Sequence, residues 1–424
     1  MVTKIDVLSV PFAGHLYPTL TLVLPLLEDD KYQVRVFTGM NKVQQIQSLG
    51  FKTYGLFPDK PSILEEISDQ TKGNALTLPL KQLRRNFALV PQAVAEVEAL
   101  WAKEGQPDLL IGDFITMPTA ILAKKNGIPW ITTNSSPVSI EGYKDTPSYL
   151  GGLYPRESFL GELRNRLIWK MIKWGKALAF YLNRSALGHY RDFTLRYQDG
   201  SEGIYSPDSI LALGLAEMDF RKDYPDKVKW VGYKCLSFDV LPPAYQTYFQ
   251  GDKPRVLLTS GTHLAWHKER LIAYGQKLAQ TYPEFDFYVT LGDRSGLGQP
   301  VQQPLPNCLV FPYLPYTEVI KEFSYVLHHG GIGILMAAID EALPSLIMPL
   351  WVDQFDYAAR ADYYGLGIHC KKDDLDSLVR DFKRLIEQKR WPNLEKMSQL
   401  SKETSSTAIL YGEIERLLAN KKDA

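Results

Sequence analysis

The chain has 424 residues, which is too many for one ordinary hydrophobic core and predicts two domains of about 200 residues each. Its formal net charge is zero, from 48 basic and 48 acidic residues, and this balance argues against a nucleic-acid partner. Three scattered cysteines without a CxxC pair indicate a reducing compartment, which we expect to be the cytoplasm, and no structural metal.

Short apolar runs alternate with longer segments of helical periodicity, and none of the runs reaches the 18 residues typical of a membrane-spanning helix. The runs of the first half predict buried parallel strands at residues 5–10, 34–38, 109–111 and 130–133. The second half repeats the pattern, with strands predicted at 255–259, 286–291, 309–311, 325–327 and 345–347. Together they predict an α/β protein of two doubly wound, Rossmann-like domains that face each other across a cleft.

The sequence PFAGHLYPTL follows the first predicted strand, at residues 11–20. Gly14 permits a tight turn and Pro18 suits the first turn of a helix, so we expect His15 at the carboxyl end of the strand, facing the cleft. An imidazole there can take a proton from a hydroxyl near neutral pH. It needs a carboxylate to fix its tautomer, and Asp113, at the end of another strand, is the best candidate. The alternative is a histidine held by backbone atoms in a turn.

Residues 164–176 alternate basic side chains with leucine, isoleucine and tryptophan. Two interpretations stay open for this segment. It is either an interfacial helix that contacts anionic lipid and draws an apolar acceptor from a membrane, or a domain helix with a solvated basic face. Aromatic residues, among them Tyr143 and Tyr149, also crowd the region from 143 to 190, as expected for a site that binds a planar or apolar ligand or for core packing.

Residues 238–254 carry three prolines and two clustered tyrosines with little periodicity, which makes them the candidate linker. They divide the chain into an N-terminal domain, 1–237, and a C-terminal domain, 255–404. The charged segment 405–424 has a helical pattern, and we expect it to pack back toward the N-terminal domain.

The sequence HGGIG follows the predicted strand at 325–327 and precedes a helix predicted over 334–341. Such a strand–turn–helix directs unpaired backbone N–H groups and the positive end of the helix dipole at one point, where a phosphate fits. The imidazole of His329 adds a further donor. The next strand delivers Asp353 and Gln354 at its carboxyl end, and an acid beside an amide suits sugar hydroxyls. These features together predict a site for a nucleotide sugar.

These motifs resemble those of the inverting nucleotide-sugar glycosyltransferases with GT-B architecture, which use UDP- or dTDP-sugars to glycosylate lipids, antibiotics, pigments and plant metabolites. The resemblance covers nearly the whole chain: PxxGHxxPxL at 11–20, Asp113, WVG at 230–232, TSGT at 259–262 and HGG…P…P…DQ at 329–354. It implies that His15 is the catalytic base and that Asp113 orients it. It also implies diphosphate contacts from Gly261, Thr262, His329, Gly330, Gly331 and Gly333, and donor-sugar contacts from Asp353 and Gln354.

The resemblance further implies a single inverting displacement without a metal or a cofactor, since the nucleotide sugar is a co-substrate. We expect the acceptor to be a hydroxyl of a small hydrophobic molecule, contacted by Phe12, Tyr143 and Tyr149. We expect a monomer or a weak homodimer, with peripheral membrane contact through 164–176 left open.

Three positions depart from the family pattern. Ile334 stands where a hydroxyl residue usually meets the phosphate, and Ala337 stands where many members bind the ribose with a glutamate. Without that carboxylate, discrimination between ribose and deoxyribose weakens, so a dTDP-sugar fits as readily as a UDP-sugar. Tyr357 replaces a frequent asparagine.

Other functions stay open at this point. They are a non-catalytic GT-B helper that activates a partner transferase, a lipid or carotenoid glycosyltransferase at a membrane surface, and a sugar-nucleotide epimerase or phosphorylase-like enzyme.

The DLD sequence at 374–376 matches a metal–diphosphate signature, but it begins a predicted helix, which favours N-capping by Asp374. His263 and His267 lack the glutamate of a zincin, and His328 is expected to be a buried strand-end residue.

Overall fold

Two seven-stranded sheets, one from each half of the chain, form the framework of the computed structural model, which describes residues 2–68, 78–234, 239–262 and 265–423. The first sheet contains β1 Thr3–Leu8, β2 Tyr32–Gly39, β3 Lys52–Leu56, β4 Leu109–Asp113, β5 Trp130–Asn134, β6 Ile210–Ala212 and β7 Val228–Trp230. The second contains β8 Arg255–Thr259, β9 Asp286–Thr290, β10 Gln302–Leu305, β11 Cys308–Phe311, β12 Tyr325–His328, β13 Ser345–Ile347 and β14 Gly367–His369. Neighbouring strands are parallel except β10, which is antiparallel to β11.

Helices connect the strands and cover both sheets. In the first half they are α1 Ala13–Val23, α2 Val43–Gln47, α3 Ile63–Ser68, α4 Leu78–Glu104, α5 Met117–Asn126 and α6 Phe159–Asn183. In the second half they are α7 Pro243–Gln246, α8 Lys268–Thr281, α9 Tyr316–Val319, α10 Ile332–Asp340, α11 Gln354–Tyr363, α12 Leu375–Glu387, α13 Pro392–Glu403 and α14 Ser406–Asp423. Among the helices in the described ranges, none combines the length and the apolarity that spanning a bilayer requires.

Strand order identifies the edge of each sheet where a ligand can bind. The first sheet runs β3-β2-β1-β4-β5-β6-β7, so the chain reverses direction of winding between β1 and β4. The second runs β10-β11-β9-β8-β12-β13-β14, with the corresponding reversal between β8 and β12. Ligands of doubly wound proteins bind outside the carboxyl ends of the strands at this switch point. The predicted α/β, doubly wound architecture is confirmed.

The central strands form because their residues are apolar enough to be covered by helices on both faces. All five residues of β4 and all five of β5 are buried, and so are four of the five residues of β8. The helix of the 11–20 motif begins earlier than predicted. Gly14 and Pro18 both lie inside α1, which Phe12 precedes as the N-cap residue, so neither of them forms a turn before the helix.

The chain crosses between the two sheets in two places that contact each other. After β7, Val231 and Gly232 run beside the junction of α13 and α14, and the Ser406 hydroxyl donates to the Val231 carbonyl. A methyl group built on Gly232 would lie 3.2 Å from Cγ2 of Thr404. Helix α14 then packs on α1, and the Tyr411 hydroxyl donates to the Pro25 carbonyl over 3.2 Å. Residue 238 of the predicted linker and His263 lie outside the described residues.

Candidate active site

His15 and Asp113 meet at the switch point of the first sheet. His15 lies in the first turn of α1, and its Nδ1 is 3.1 Å from both carboxylate oxygens of Asp113. Asp113 ends β4, is 2% exposed, and also accepts a hydrogen bond from the Ile115 N–H over 3.2 Å. The ring of His15 stacks on Phe114 with centroids 5.3 Å apart. With Nδ1–H donating to the carboxylate, Nε2 is left as the basic nitrogen of the ring.

Charges around His15 favour its protonated form. Burial lowers the pKa of the imidazole, but the Asp113 carboxylate raises it through its charge and its hydrogen bond, and the charge of Asp353 adds to this. The net result is a pKa above the ordinary value of 6.5. We call each sheet with its helices a lobe. The proton affinity of His15 is therefore raised by one carboxylate from each lobe, Asp113 from the first and Asp353 from the second.

Three turns converge at the carboxyl ends of β8, β9 and β12 in the second lobe. A methyl group built on Gly261 would lie 2.9 Å from Cε1 of His329, and one on Gly331 would lie 2.6 Å from its Nε2. One on Gly292 would lie 2.2 Å from the Gly261 carbonyl oxygen. Gly261 and Gly330 also have positive φ angles, 76° and 87°, which residues with a side chain rarely adopt. The imidazole of His329 therefore lies between two backbone turns in which a side chain at Gly261 or Gly331 would contact its ring too closely.

Helix α10 begins at these turns and presents its first N–H groups to them. Gly331 is its N-cap residue and no side chain caps it. The N–H groups of the first turn, which include that of Gly333, consequently have no acceptor within the helix. Together with the helix dipole they form an anion-binding arrangement of the kind that holds phosphates. Thr262 is exposed at the end of the neighbouring turn.

The two adjacent histidines have different environments. His328 ends β12 and is 0% exposed, and its Nδ1 accepts the Gly330 N–H over 3.0 Å. Burial lowers the pKa of His328 to about 3, so the ring is neutral and shapes the turn. The prediction that His328 is a buried strand-end residue is confirmed, and His329 is the histidine at the turns.

Lys268 is a cation at these turns that the motifs did not indicate. It is the first residue of α8, and its Nζ donates to the Gly261 carbonyl and, over 3.3 Å, to the Ser260 hydroxyl. Burial lowers the pKa of this amine to about 8. The sequence around Lys268 has no pattern that would indicate a functional residue. The side chain reaches the Gly261 turn because α8 begins beside the end of β8.

Asp353 and Gln354 lie where the two lobes meet. The Ser136 hydroxyl of the first lobe donates to Oδ2 of Asp353 over 2.7 Å, and the Tyr357 hydroxyl lies 3.4 Å from the same serine oxygen. Burial raises the pKa of Asp353, while the Ser136 hydrogen bond and the charge of His15 oppose the rise. Asp353 therefore links the His15 side of the interface to the turns of the second lobe.

Gln354 holds the backbone around that carboxylate. Its Oε1 accepts the N–H groups of Leu350 and Trp351, both over 2.9 Å. Its own carbonyl oxygen would lie 2.8 Å from a methyl group on Gly330. The structure thus brings His15, Asp113 and Asp353 together at one side of the interface and joins them to Gly330 through Gln354.

A second group of contacts closes the interface beside the first. The Tyr149 N–H donates to Asp356 over 2.7 Å, and Arg360 pairs with Asp219 over 3.2 Å. The Tyr154 hydroxyl donates to Asp362 over 2.6 Å. Burial raises the pKa of Asp356 to about 6.

The three residues predicted to contact the acceptor have different positions. Phe12 is partly buried with its ring centroid 6.1 Å from that of His15. Tyr149 has a left-handed backbone, φ 66°, and its phenol is close enough to Asp353 for that carboxylate to raise its pKa, after burial, which is the larger cause. Tyr143 is 61% exposed and contacts Arg166 of α6, with the guanidinium 4.9 Å from the ring centre. The described contacts of Tyr143 thus lie on the outside of α6 and not around His15.

Two of the three residues that depart from the family pattern pack in or against the core of the second lobe. Ile334 is 2% exposed and belongs to the core between α10 and β12, against which Ala337 also packs.

Asp374 accepts the Ser377 N–H over 2.8 Å at the start of α12, which confirms the capping interpretation of the DLD sequence. Across the described ranges, no three His, Cys, Asp or Glu side chains cluster as metal ligands would.

Comparison with known proteins identifies relatives of the chain. No protein-family model matches the chain. Over 402 residues it is 24% identical to 4'-demethylrebeccamycin synthase of Lentzea aerocolonigenes, covering 91% of each chain. Over 382 residues it is 22% identical to NDP-glycosyltransferase YjiC of Bacillus subtilis (strain 168), covering 88% of this chain and 85% of the relative.

The fold of the chain is also similar to that of solved glycosyltransferases. The solved structure of glycosyltransferase VinC in complex with dTDP superposes with a TM-score of 0.66 at 19% identity, over 99% of this chain and all of that chain. The GT-B architecture expected from the sequence motifs is thereby confirmed. By its fold and its relatives, the chain is similar to GT-B glycosyltransferases of the natural-product type.

Proposed function

We propose that the chain transfers a sugar from a nucleoside-diphosphate donor to a hydroxyl of a small hydrophobic acceptor, in one inverting step with His15 as the base. The observation that carries the proposal is the pair His15–Asp113, 3.1 Å apart at the switch point of one lobe, with Asp353, next to the residue that contacts the Gly330 turn, close enough for its charge to raise the pKa of His15. Each half alone has a structural explanation, but their juxtaposition supplies both a proton acceptor and an anion site.

The first lobe provides the base. Nε2 of His15 takes the proton of the acceptor hydroxyl as the oxygen attacks the anomeric carbon of the donor. The Asp113 carboxylate holds Nδ1–H and stabilises the imidazolium that forms, which is the role such a carboxylate has in hydrolytic triads. The acceptor oxygen bonds to carbon as the bond from that carbon to the diphosphate breaks, which inverts the centre.

The second lobe receives the leaving group. Negative charge develops on the diphosphate as the bond breaks, and in this proposal the N-terminus of α10, His329 and Lys268 stabilise it. Donors fixed in advance around developing charge are usually the largest contribution to catalysis. We include no metal and no cofactor in this proposal, since backbone N–H groups and these two side chains carry the countercharge.

The relatives and one position support the choice of donor nucleotide. VinC was solved with dTDP, and the Bacillus relative is named as an NDP-glycosyltransferase. Ala337 offers no carboxylate to ribose hydroxyls, so we propose a dTDP- or UDP-sugar. The name of the Lentzea relative is that of a natural-product enzyme, which supports a small hydrophobic acceptor. These relatives are named as enzymes, which does not favour a non-catalytic helper.

The direct test is transfer by the purified chain alone. We expect dTDP or UDP to raise the melting temperature more than GDP does, because the three nucleotides share the diphosphate but GDP carries a purine in place of a pyrimidine. Incubation with the corresponding sugar nucleotide and a panel of phenolic and aliphatic alcohols should then give products whose mass increases by one sugar. Release of nucleotide without any glycosylated product, or conversion of the donor into an epimer, would contradict the proposal.

The pH dependence of turnover tests the role of Asp113. A base must be neutral to act, so kcat/KM should be low under acidic conditions and rise through an apparent pKa above 6.5. Asp113→Asn removes the charge that raises the pKa of His15 and leaves burial, which lowers it. The acidic limb should therefore move to lower pH while the plateau falls, measured as a full pH–rate profile of both proteins. A reduced plateau with an unmoved limb would show that Asp113 does not act through the titration of His15.

A further inference from the structure

Helix α6 exposes an unusually large apolar surface. Nine of the 21 large apolar side chains that are exposed in the described residues lie on this one helix: Phe159, Leu160, Leu163, Leu167, Met171, Trp174, Leu178, Tyr181 and Leu182. Trp174 is 73% exposed and Met171 is 71% exposed. Monomeric soluble proteins rarely leave contiguous apolar patches of this kind uncovered, and such patches mark interaction sites.

These side chains form one face of the helix. From Leu160 to Leu182 they recur every three or four residues, which keeps them on one side over about 33 Å of helix. The opposite side holds the helix on its lobe: the Trp169 indole donates to the Asp145 carbonyl over 3.0 Å, and Phe180 packs edge-on against Phe87. The apolar face therefore points away from the body of the protein.

A basic row borders this face. Between residues 164 and 184 the chain has six basic residues and no acidic one, although its overall charge is zero. Lys176 turns inward to Glu141 and Glu202, and Arg166 pairs with Glu162. Within the described residues, Lys170 and Lys173 have no carboxylate within ion-pair distance.

We propose that α6 lies in the surface of an anionic lipid bilayer, with the apolar face among the acyl chains and the basic row at the headgroups. An exposed apolar stripe bordered by lysines is what such a surface binds. A second copy of the chain would cover the apolar face but would bring two basic rows together, so the charges favour lipid. The helix belongs to the lobe that carries His15, and that lobe would face the membrane. The inference does not depend on the reaction proposed above.

Vesicle binding of the full chain tests the proposal. We expect co-sedimentation with vesicles of phosphatidylcholine and phosphatidylserine, and at least tenfold weaker binding to phosphatidylcholine alone. Leu167→Gln/Trp174→Gln should weaken binding to the mixed vesicles by at least about tenfold, because it removes the apolar contribution. The control Leu80→Gln/Leu375→Gln replaces exposed apolar residues on α4 and α12 and should bind as the unmodified protein does.

Two charge-reversal variants test whether anionic lipid, and not another molecule, covers the apolar face of α6. Lys170→Glu/Lys173→Glu should also weaken binding by at least about tenfold, whereas Lys396→Glu/Lys402→Glu on the exposed side of α13 should not. Circular dichroism checks that every variant is folded. Absence of vesicle binding, or equal loss with the control variants, overturns the proposal. So does a dimer in sedimentation analysis that Leu167→Gln/Trp174→Gln converts to a monomer, since α6 would then be covered by a second copy.

Discussion

Replacement of His15 with alanine is expected to reduce turnover by about 10²–10⁴-fold, which is the usual contribution of a general base. The acceptor hydroxyl would then have to lose its proton to water, while the groups that meet the diphosphate stay in place. The affinity for the nucleoside diphosphate should be unchanged, because those groups lie in the other lobe. Turnover is measured with saturating sugar nucleotide, and nucleotide affinity by isothermal titration calorimetry.

The matched control for this variant is His189→Ala. His189 is an exposed histidine beside Tyr190 in the same lobe and lies outside the proposed site, so its replacement should leave turnover as it was. Full turnover in His15→Ala would refute the base assignment. Equal loss of turnover and of nucleotide affinity would instead point to a structural role for this histidine at the interface.

Gly261→Ala is expected to weaken binding of dTDP or UDP by about 10–100-fold, the effect of losing a hydrogen bond to a charged group. The added methyl group would meet His329 at 2.9 Å and displace its ring from between the turns. The replacement also strains a backbone with a φ of 76°, at a cost of about 1–3 kcal/mol. Calorimetric titration with each nucleotide measures the effect.

Gly251→Ala is the control that distinguishes the displacement of His329 from the strain of a positive φ angle. Gly251 also has a positive φ, 103°, but a methyl group there would meet nothing within 4 Å. The control should therefore lose stability without losing nucleotide affinity, as seen by thermal unfolding and titration of the same samples. If both variants bind nucleotide as tightly as the unmodified protein, the turn at Gly261 is not part of the diphosphate site.

The central strands could be predicted because they are buried on both faces and so appear as apolar runs. The short strands β7 and β14 could not, because Lys229 and His369 interrupt their apolar runs. Register within the sheets follows from the pairing of neighbouring strands and not from any local pattern.

The position of His15 beside Asp113 was predictable because both follow parallel strands, whose carboxyl ends share one edge of a sheet. Two other site residues were not. Ser136 reaches Asp353 only because the lobes are apposed, and Lys268 reaches Gly261 only through the path of α8. The expectation that Tyr143 contacts the acceptor rested on aromatic crowding and stays a prediction; its ring is exposed and contacts Arg166 of α6.

The contact between the two crossing segments determines how the lobes can move. Val231 and Gly232 lie against Thr404 and Ser406, so both covalent connections pass through one edge of the molecule. Two adjacent tethers permit rotation about the line through them and resist sliding and twisting. The gap should consequently widen most at the rim farthest from that line, and substrates would enter and leave on that side.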